Sequence, residues 1–149
     1  MSEYYTHKPG DLECALVGIL DFTKVDEYIS EALVDEININ KLGIIKVEVY
    51  NKEGPIPHFH LNGDNFKCCI CIHKPMYFKH GKYQSKLPSY ARKILNRWLS
   101  EPTKDTPVLT NWESIIFLWK HENPDWEDKY KIKIPKKQPD YSNIKNFEN

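Results

Sequence analysis

Alternating and apolar segments in the sequence predict β-strands at both ends of the chain. Residues 14–22 are apolar enough for a short buried strand. Residues 45–49 alternate apolar with charged side chains, which is typical of a strand with one face in water. Residues 130–134 alternate in the same way and stop at Pro135, so they predict a short edge strand.

A different period, with apolar residues three and four positions apart, predicts three helices. The first covers residues 24–35. The second follows an apolar stripe through residues 87–99, with Pro88 in its first turn. The third begins at the capping-box sequence of residues 110–113 and ends before Pro124.

Strands and helices of these lengths predict a single α+β domain, in which a small antiparallel sheet is covered by two to three helices. The chain has 149 residues, of which 40% are apolar and 13% aromatic, and this is enough to build a core. We expect the domain to span residues 1–138, with its core at about 13–134. The polar residues 139–149 predict a flexible C-terminal tail.

Charge and cysteine content indicate which cellular compartment and which binding partners to expect. Basic and acidic residues balance at 21 each, so no whole-molecule field attracts nucleic acid or an anionic membrane. No apolar run approaches the ~20 residues that cross a bilayer, and no signal peptide is recognisable at the start. We therefore expect a cytoplasmic protein without a membrane partner, in which the four cysteines are reduced.

Most of the candidate functional residues lie on a predicted β-hairpin. It is formed by residues 58–61 and 66–73 around the turn at 62–65. Because side chains alternate along a strand, His58 and His60 share one face. Pairing apolar with apolar residues across the hairpin also brings the polar sets of both strands together. The residues expected on this common surface are His58, His60, Cys69, Cys71 and His73.

Imidazole and thiolate are the usual ligands of zinc, so these five residues are candidate ligands for zinc or another divalent metal. Two histidines at alternate strand positions can bind one ion. The spacing is less specific than that of a paired Cys-x-x-Cys site.

Two other interpretations of the same residues remain open. The histidines can be a half-buried structural pair that is hydrogen-bonded to the backbone or to the helices, with Cys69 and Cys71 as small packing residues. Alternatively, His58 or His60 acts as a general acid or base. That role needs a partner such as a carboxylate, for which Glu113 is one candidate among several acidic residues.

A cluster of cationic and aromatic residues follows the hairpin. This mixture can hold single-stranded RNA or DNA, although ordinary solvated loops explain it more simply. The candidate nucleic-acid contacts are Lys74, Lys79, His80, Lys82 and Tyr83.

The order of several motifs resembles a family of small bacterial domains of unknown function. These motifs are Pro57-His58-Phe59-His60, then Leu87-Pro88 in a helix that contains Trp98, and finally Asn111-Trp112-Glu113 at a helix start. The similarity spans about residues 44–134.

This resemblance implies a compact α+β domain whose helices cover a small sheet, in a bacterial or phage protein. Family members often form a two-gene module with a small antitoxin-like protein. The matching positions are His58 and His60 as the motif pair, with Trp112 and Glu113 as companions. No reaction carries over from the family.

The leading hypothesis is therefore an interaction module of a toxin–antitoxin or defence-type system. It would bind a protein or nucleic-acid partner through the surface of His58 and His60. A metal-dependent hydrolase, such as a nuclease, is the alternative, and a binding domain with a purely structural histidine pair is the third. The sequence does not set the oligomeric state.

Overall fold

The computed structural model describes residues 14–23, 41–51, 56–78, 81–104, 108–124 and 132–146. Within them the elements are, in chain order, β1 (Cys14–Asp21), β2 (Ile44–Tyr50), β3 (His58–Asn62), β4 (Lys67–Cys71), α1 (Ser89–Leu99) and α2 (Asn111–Glu122). This confirms the predicted α+β class. The predicted helix at 24–35 lies outside the described residues. In the described part of the chain, no helix has both the length and the apolarity to cross a membrane.

The four strands form one antiparallel sheet in the order β1-β2-β3-β4, so each strand pairs with its neighbour in sequence. The predicted hairpin is therefore present as β3 and β4. Its turn brings Gly63 close to β2, where a Cβ atom at Gly63 would lie 2.5 Å from the Cδ1 atom of Ile45. A side chain at this position would have to displace the end of the Ile45 side chain, so the turn packs closely against β2.

One face of the sheet forms the main hydrophobic core beneath the two helices. Val47 from β2 is fully buried on this face, together with Phe59 and Leu61 from β3. The Trp98 side chain of α1 reaches β1, where a Cβ atom at Gly18 would lie 2.7 Å from the Trp98 ring. The histidines occupy the opposite face, because the side-chain period of a strand is two residues.

The helix boundaries follow local capping signals. Thr110 accepts a hydrogen bond from the backbone N–H of Glu113, and the Glu113 side chain accepts one from the backbone of Thr110, which confirms the predicted capping box. Helix α2 ends at Glu122, two residues before Pro124. Pro88 was predicted to lie in the first turn of α1, but it is the N-cap residue that precedes this turn.

The outer edge of β4 is covered by the irregular residues 76–78 and 81–85. Tyr77 bridges to Ile70, Gln84 bridges to Cys68, and the backbone N–H of Phe78 donates to the Cys69 carbonyl at 2.9 Å. A covered edge has its backbone groups satisfied and cannot pair with another strand. This covering segment also turns aromatic side chains over the histidine face.

The C-terminal region differs from two expectations. An edge strand was predicted at residues 130–134, but the described part of this range, residues 132–134, is not a strand. Ile132 and Ile134 pack instead against the core. Residues 139–146 are docked, because Tyr141 is fully buried and Lys145 bridges to Met76. The Tyr141 hydroxyl donates to the carbonyls of Cys71 and Ile72. A polar composition predicted a flexible tail here, but one large aromatic residue anchors the segment.

Candidate metal centre

Strand pairing sets the positions of the candidate ligands. His58 pairs with Cys71 and His60 pairs with Cys69 across the β3–β4 ladder, so all four side chains share one face of the sheet, as predicted. This face is not open to solvent: the exposed fraction is 0% for His58, 2% for His60 and 1% for Cys69. The hairpin therefore builds a buried polar cluster.

Three of these side chains converge. One ligand atom each from His58, His60 and Cys69 lies within 4.8 Å of the other two. The Nδ1 atom of His60 is 3.3 Å from the Cys69 sulfur. A zinc ion with Zn–N of about 2.0 Å, Zn–S of about 2.3 Å and tetrahedral angles holds nitrogen and sulfur about 3.5 Å apart. The His60–Cys69 pair already has nearly the separation of two ligands on one ion.

A backbone hydrogen bond orients the His58 ring. Its Nδ1 atom lies 2.7 Å from the carbonyl oxygen of Ile56. A carbonyl can only accept, so Nδ1 must carry the hydrogen, and in the neutral ring the lone pair resides on Nε2. Metal-ligating histidines are commonly held in this way through the second ring nitrogen.

Aromatic rings surround both imidazoles. The ring centroids of Tyr50 and Tyr83 each lie 4.5 Å from that of His60. The Phe78 ring lies 4.5 Å from that of His58, and the Trp119 ring lies 5.4 Å from it. Phe78 and Tyr83 come from the segment that covers β4, and Tyr50 comes from β2. This enclosure lowers the local dielectric and strengthens interactions inside the cluster.

A polar network continues from the cluster onto β2. Glu48 is the cross-strand partner of His60, and its carboxylate accepts hydrogen bonds from the Tyr50 hydroxyl at 3.2 Å and from Asn62 at 3.1 Å. The Lys67 ammonium donates to Asn62 and to the Gly63 carbonyl. Burial, followed by the proximity of Tyr83 and Glu48, raises the pKa of Tyr50 far above its ordinary value. Tyr50 is therefore a neutral hydroxyl at physiological pH.

The other two predicted ligands are adjacent but do not complete the group. Cys71 and His73 are absent from the set of described side chains whose ligand atoms converge. Burial raises the pKa of the Cys71 thiol to about 12, although nearby Lys74 opposes the shift. Burial and then Lys74 lower the pKa of His73, which is half-buried. Both residues are neutral near pH 7.

The structure does not bring the predicted catalytic carboxylate into the group. Glu113 is exposed at the start of α2, and its carboxylate accepts the Thr110 backbone N–H at 2.8 Å. Glu48 is the carboxylate that the sheet places beside His60. Strand alternation in 45–49 was the signal that could have identified it, because it puts Glu48 on the wet face next to β3.

The candidate nucleic-acid residues are distributed over different environments. Lys74 and Lys82 are exposed, and the Lys82 ammonium lies 5.8 Å from the centroid of the Tyr83 ring. Tyr83 itself is 7% exposed and stacks edge-on with His60. Lys79 and His80 lie outside the described residues. Among the described candidates, two lysines on the surface offer their charge to a polyanion.

Comparison with protein-family models, curated proteins and solved structures found no match to this chain. The proposed resemblance to domains with the Pro-His-x-His motif stays a prediction. Inferences about function therefore depend on the geometry of His58, His60 and Cys69.

Proposed function

We propose that this protein is a metal-binding domain that holds one transition-metal ion through His58, His60 and Cys69. The convergence of three ligand atoms within 4.8 Å carries this proposal. Nitrogen and sulfur donors suit zinc among the abundant divalent ions, and oxygen-preferring calcium and magnesium fit poorly. An ion here would tie β3 to β4 beneath the aromatic cover.

Burial favours a structural or sensing role for the ion over hydrolysis. A catalytic zinc keeps one coordination position open for water or substrate. Here the three ligands are at most 2% exposed, and Phe78 and Tyr83 pack on the imidazoles. A polymeric substrate such as RNA has no path to the ion while these rings stay in place.

Partner binding is a second candidate, supported by a separate part of the same sheet face. Leu16, Ile19 and Ile44 are 54%, 43% and 58% exposed. Leu16 pairs with Glu48 and Ile19 pairs with Lys46, so both share the face of these residues. Ile44 lies on the same face because it is two positions before Lys46 in β2. Exposed apolar side chains grouped in this way mark interaction surfaces. We call these three residues, Leu16, Ile19 and Ile44, the exposed strip. They support an interaction module whose contact surface is the exposed strip and not the buried histidines.

Metal analysis of untagged protein, purified without chelator, tests the leading proposal. We expect about one equivalent of a transition metal in the wild type, and its loss in His60→Ala and Cys69→Ser. Cys14→Ser is the matched control, because Cys14 is exposed and is not a member of the group. Equal metal content in wild type and Cys69→Ser, both folded by circular dichroism, would overturn the proposal.

Two further assays address the alternatives. Single-stranded RNA incubated with the protein, with and without chelator, is expected to remain intact, and chelator-sensitive cleavage would restore the hydrolase. A Leu16→Asp and Ile44→Asp double variant tests the exposed strip. Loss of a partner, after that partner has been identified and purified, with metal content unchanged, would assign partner binding to the strip.

A further inference from the structure

The number of ligands in the buried cluster limits which metal ion it can coordinate fully. Structural zinc sites almost always have four protein ligands. The cluster supplies three, and no fourth histidine, cysteine, aspartate or glutamate among the described residues converges with them. Monovalent copper binds thiolate and imidazole donors. Three such ligands complete its coordination.

Charge limits the choice further. Zn²⁺ with one thiolate and two neutral imidazoles leaves one net positive charge, whereas Cu⁺ with the same ligands leaves none. Burying a net charge away from water is costly unless a counter-charge is beside it. His58 and His60 are at most 2% exposed and have aromatic neighbours on several sides, so the neutral complex fits this environment better.

Among the described residues, the carboxylate that β2 places beside His60 does not remove the difference. Glu48 is directly beside His60 in the sheet, but its carboxylate already accepts from Tyr50 and Asn62. The Lys67 ammonium belongs to the same network through Asn62. The pair of opposite charges leaves this network close to neutral, so it offers little compensation for an additional positive ion.

Cys71 is the residue that would convert the cluster into a zinc site. It pairs with His58 across the ladder and shares the histidine face, so its recruitment would give two histidines and two thiolates around one Zn²⁺, with no net charge. Its sulfur does not converge with the other three ligand atoms. Zinc therefore requires Cys71 as a fourth ligand, whereas monovalent copper does not.

We infer that the cluster is a three-coordinate site for monovalent copper, with His58, His60 and Cys69 as its ligands. This inference depends on the proposed metal-binding function and specifies its ion. Binding displaces the Cys69 thiol proton to solvent and leaves the copper oxidation state unchanged. The burial that excludes water also protects Cu⁺ from ligand exchange and oxidation.

The test is an anaerobic titration of the full-length, reduced protein with Cu⁺ in competition with bicinchoninate, a chromophoric Cu⁺ chelator. We expect one equivalent to bind, with affinity reduced at least tenfold in Cys69→Ser and unchanged within twofold in Cys71→Ser. X-ray absorption at the copper edge is expected to show three donors, of which one is sulfur. A parallel titration with Zn²⁺ is expected to lose at least tenfold in Cys71→Ser.

Each contrary result has a defined meaning. Two sulfur donors on copper, or a tenfold loss of Cu⁺ affinity in Cys71→Ser, would overturn the three-ligand site. Zinc that remains bound when Cu⁺ is added would also overturn it, while leaving the metal-binding function intact. If neither ion binds, or if binding does not change when His60 or Cys69 is substituted, the proposed metal-binding function is overturned as well. His60→Gln serves as a second variant if Cys69→Ser does not fold.

Discussion

The Nδ1 atom of His60 lies 3.3 Å from the sulfur of Cys69, and both side chains are buried. The two residues are direct cross-strand partners, so the ladder of β3 and β4 fixes their distance. A buried imidazole and thiol at this separation can share a hydrogen bond or hold a metal ion. The first prediction separates these two states.

Metal addition is expected to stabilise the protein. A ligand that binds the folded state at 100 times its Kd contributes about 2.7 kcal/mol. For a chain of this size, this corresponds to a rise in Tm of about 5–10 °C. Differential scanning calorimetry of chelator-treated protein, with and without added ion, measures the effect. Cys14→Ser should respond like the wild type and Cys69→Ser should not; an equal rise in both variants would refute ligation by Cys69.

The hairpin and its two faces were predictable because a strand has a period of two residues. Once apolar Phe59 is matched with Ile70, the register places His60 opposite Cys69. The capping box of α2 was predictable for a similar reason, since it depends on two residues three positions apart. Features that depend on a fixed period or spacing in the sequence can be predicted without knowledge of the tertiary structure.

The burial of the histidine face was not predictable from such rules. Its cover comes from residues 76–78 and 81–85, which have no regular period and are held by isolated bridges to β4. The same segment occupies the edge of β4, so an alternating sequence such as 130–134 cannot pair there. Docking of 139–146 was missed because it depends on one buried side chain, Tyr141, in a polar stretch.

Tyr141→Phe is expected to destabilise the fold by about 1–3 kcal/mol. The change removes a buried hydroxyl that donates to the Cys71 carbonyl at 3.0 Å and the Ile72 carbonyl at 2.9 Å. Buried carbonyls that lose their donor are costly. Urea unfolding followed by circular dichroism gives the difference. Ser142→Ala, in the same segment but with an exposed hydrogen bond to Asp140, should cost less than about 0.5 kcal/mol. Equal stabilities for Tyr141→Phe and wild type would show that the segment is not anchored by this hydroxyl.

Glu113→Ala is expected to reduce stability without changing the metal content. Its carboxylate caps α2 through the Thr110 backbone N–H, and loss of such a cap costs about 1 kcal/mol. Thermal unfolding should therefore shift downward by about 2–4 °C. Glu113→Gln keeps an oxygen acceptor and should lose less. A folded Glu113→Ala protein that no longer retains metal would instead give Glu113 a role at the metal centre.

Cys14 is expected to react slowly with alkylating reagents although it is exposed. Partial burial of its thiol, and then the neighbouring Glu48 carboxylate, raise its pKa from 9.0 to about 12. The thiolate is the reactive form, so at pH 8 a shift of this size reduces the reactive fraction by roughly 1,000-fold. Raising the pH toward the shifted pKa should restore the rate.

Peptide mapping by mass spectrometry after a timed iodoacetamide treatment measures this reactivity. Glu48→Gln removes the negative charge that disfavours the thiolate, so it should lower the Cys14 pKa and speed alkylation several-fold. Glu122→Gln is the matched control, because the Glu122 carboxylate makes the smallest of the contributions to the shift. If Cys14 in the wild type reacts at pH 8 as fast as free cysteine, then Glu48 and the partial burial do not hold its proton. The Cys14 thiol would then be packed less closely against Glu48 than this pKa shift requires.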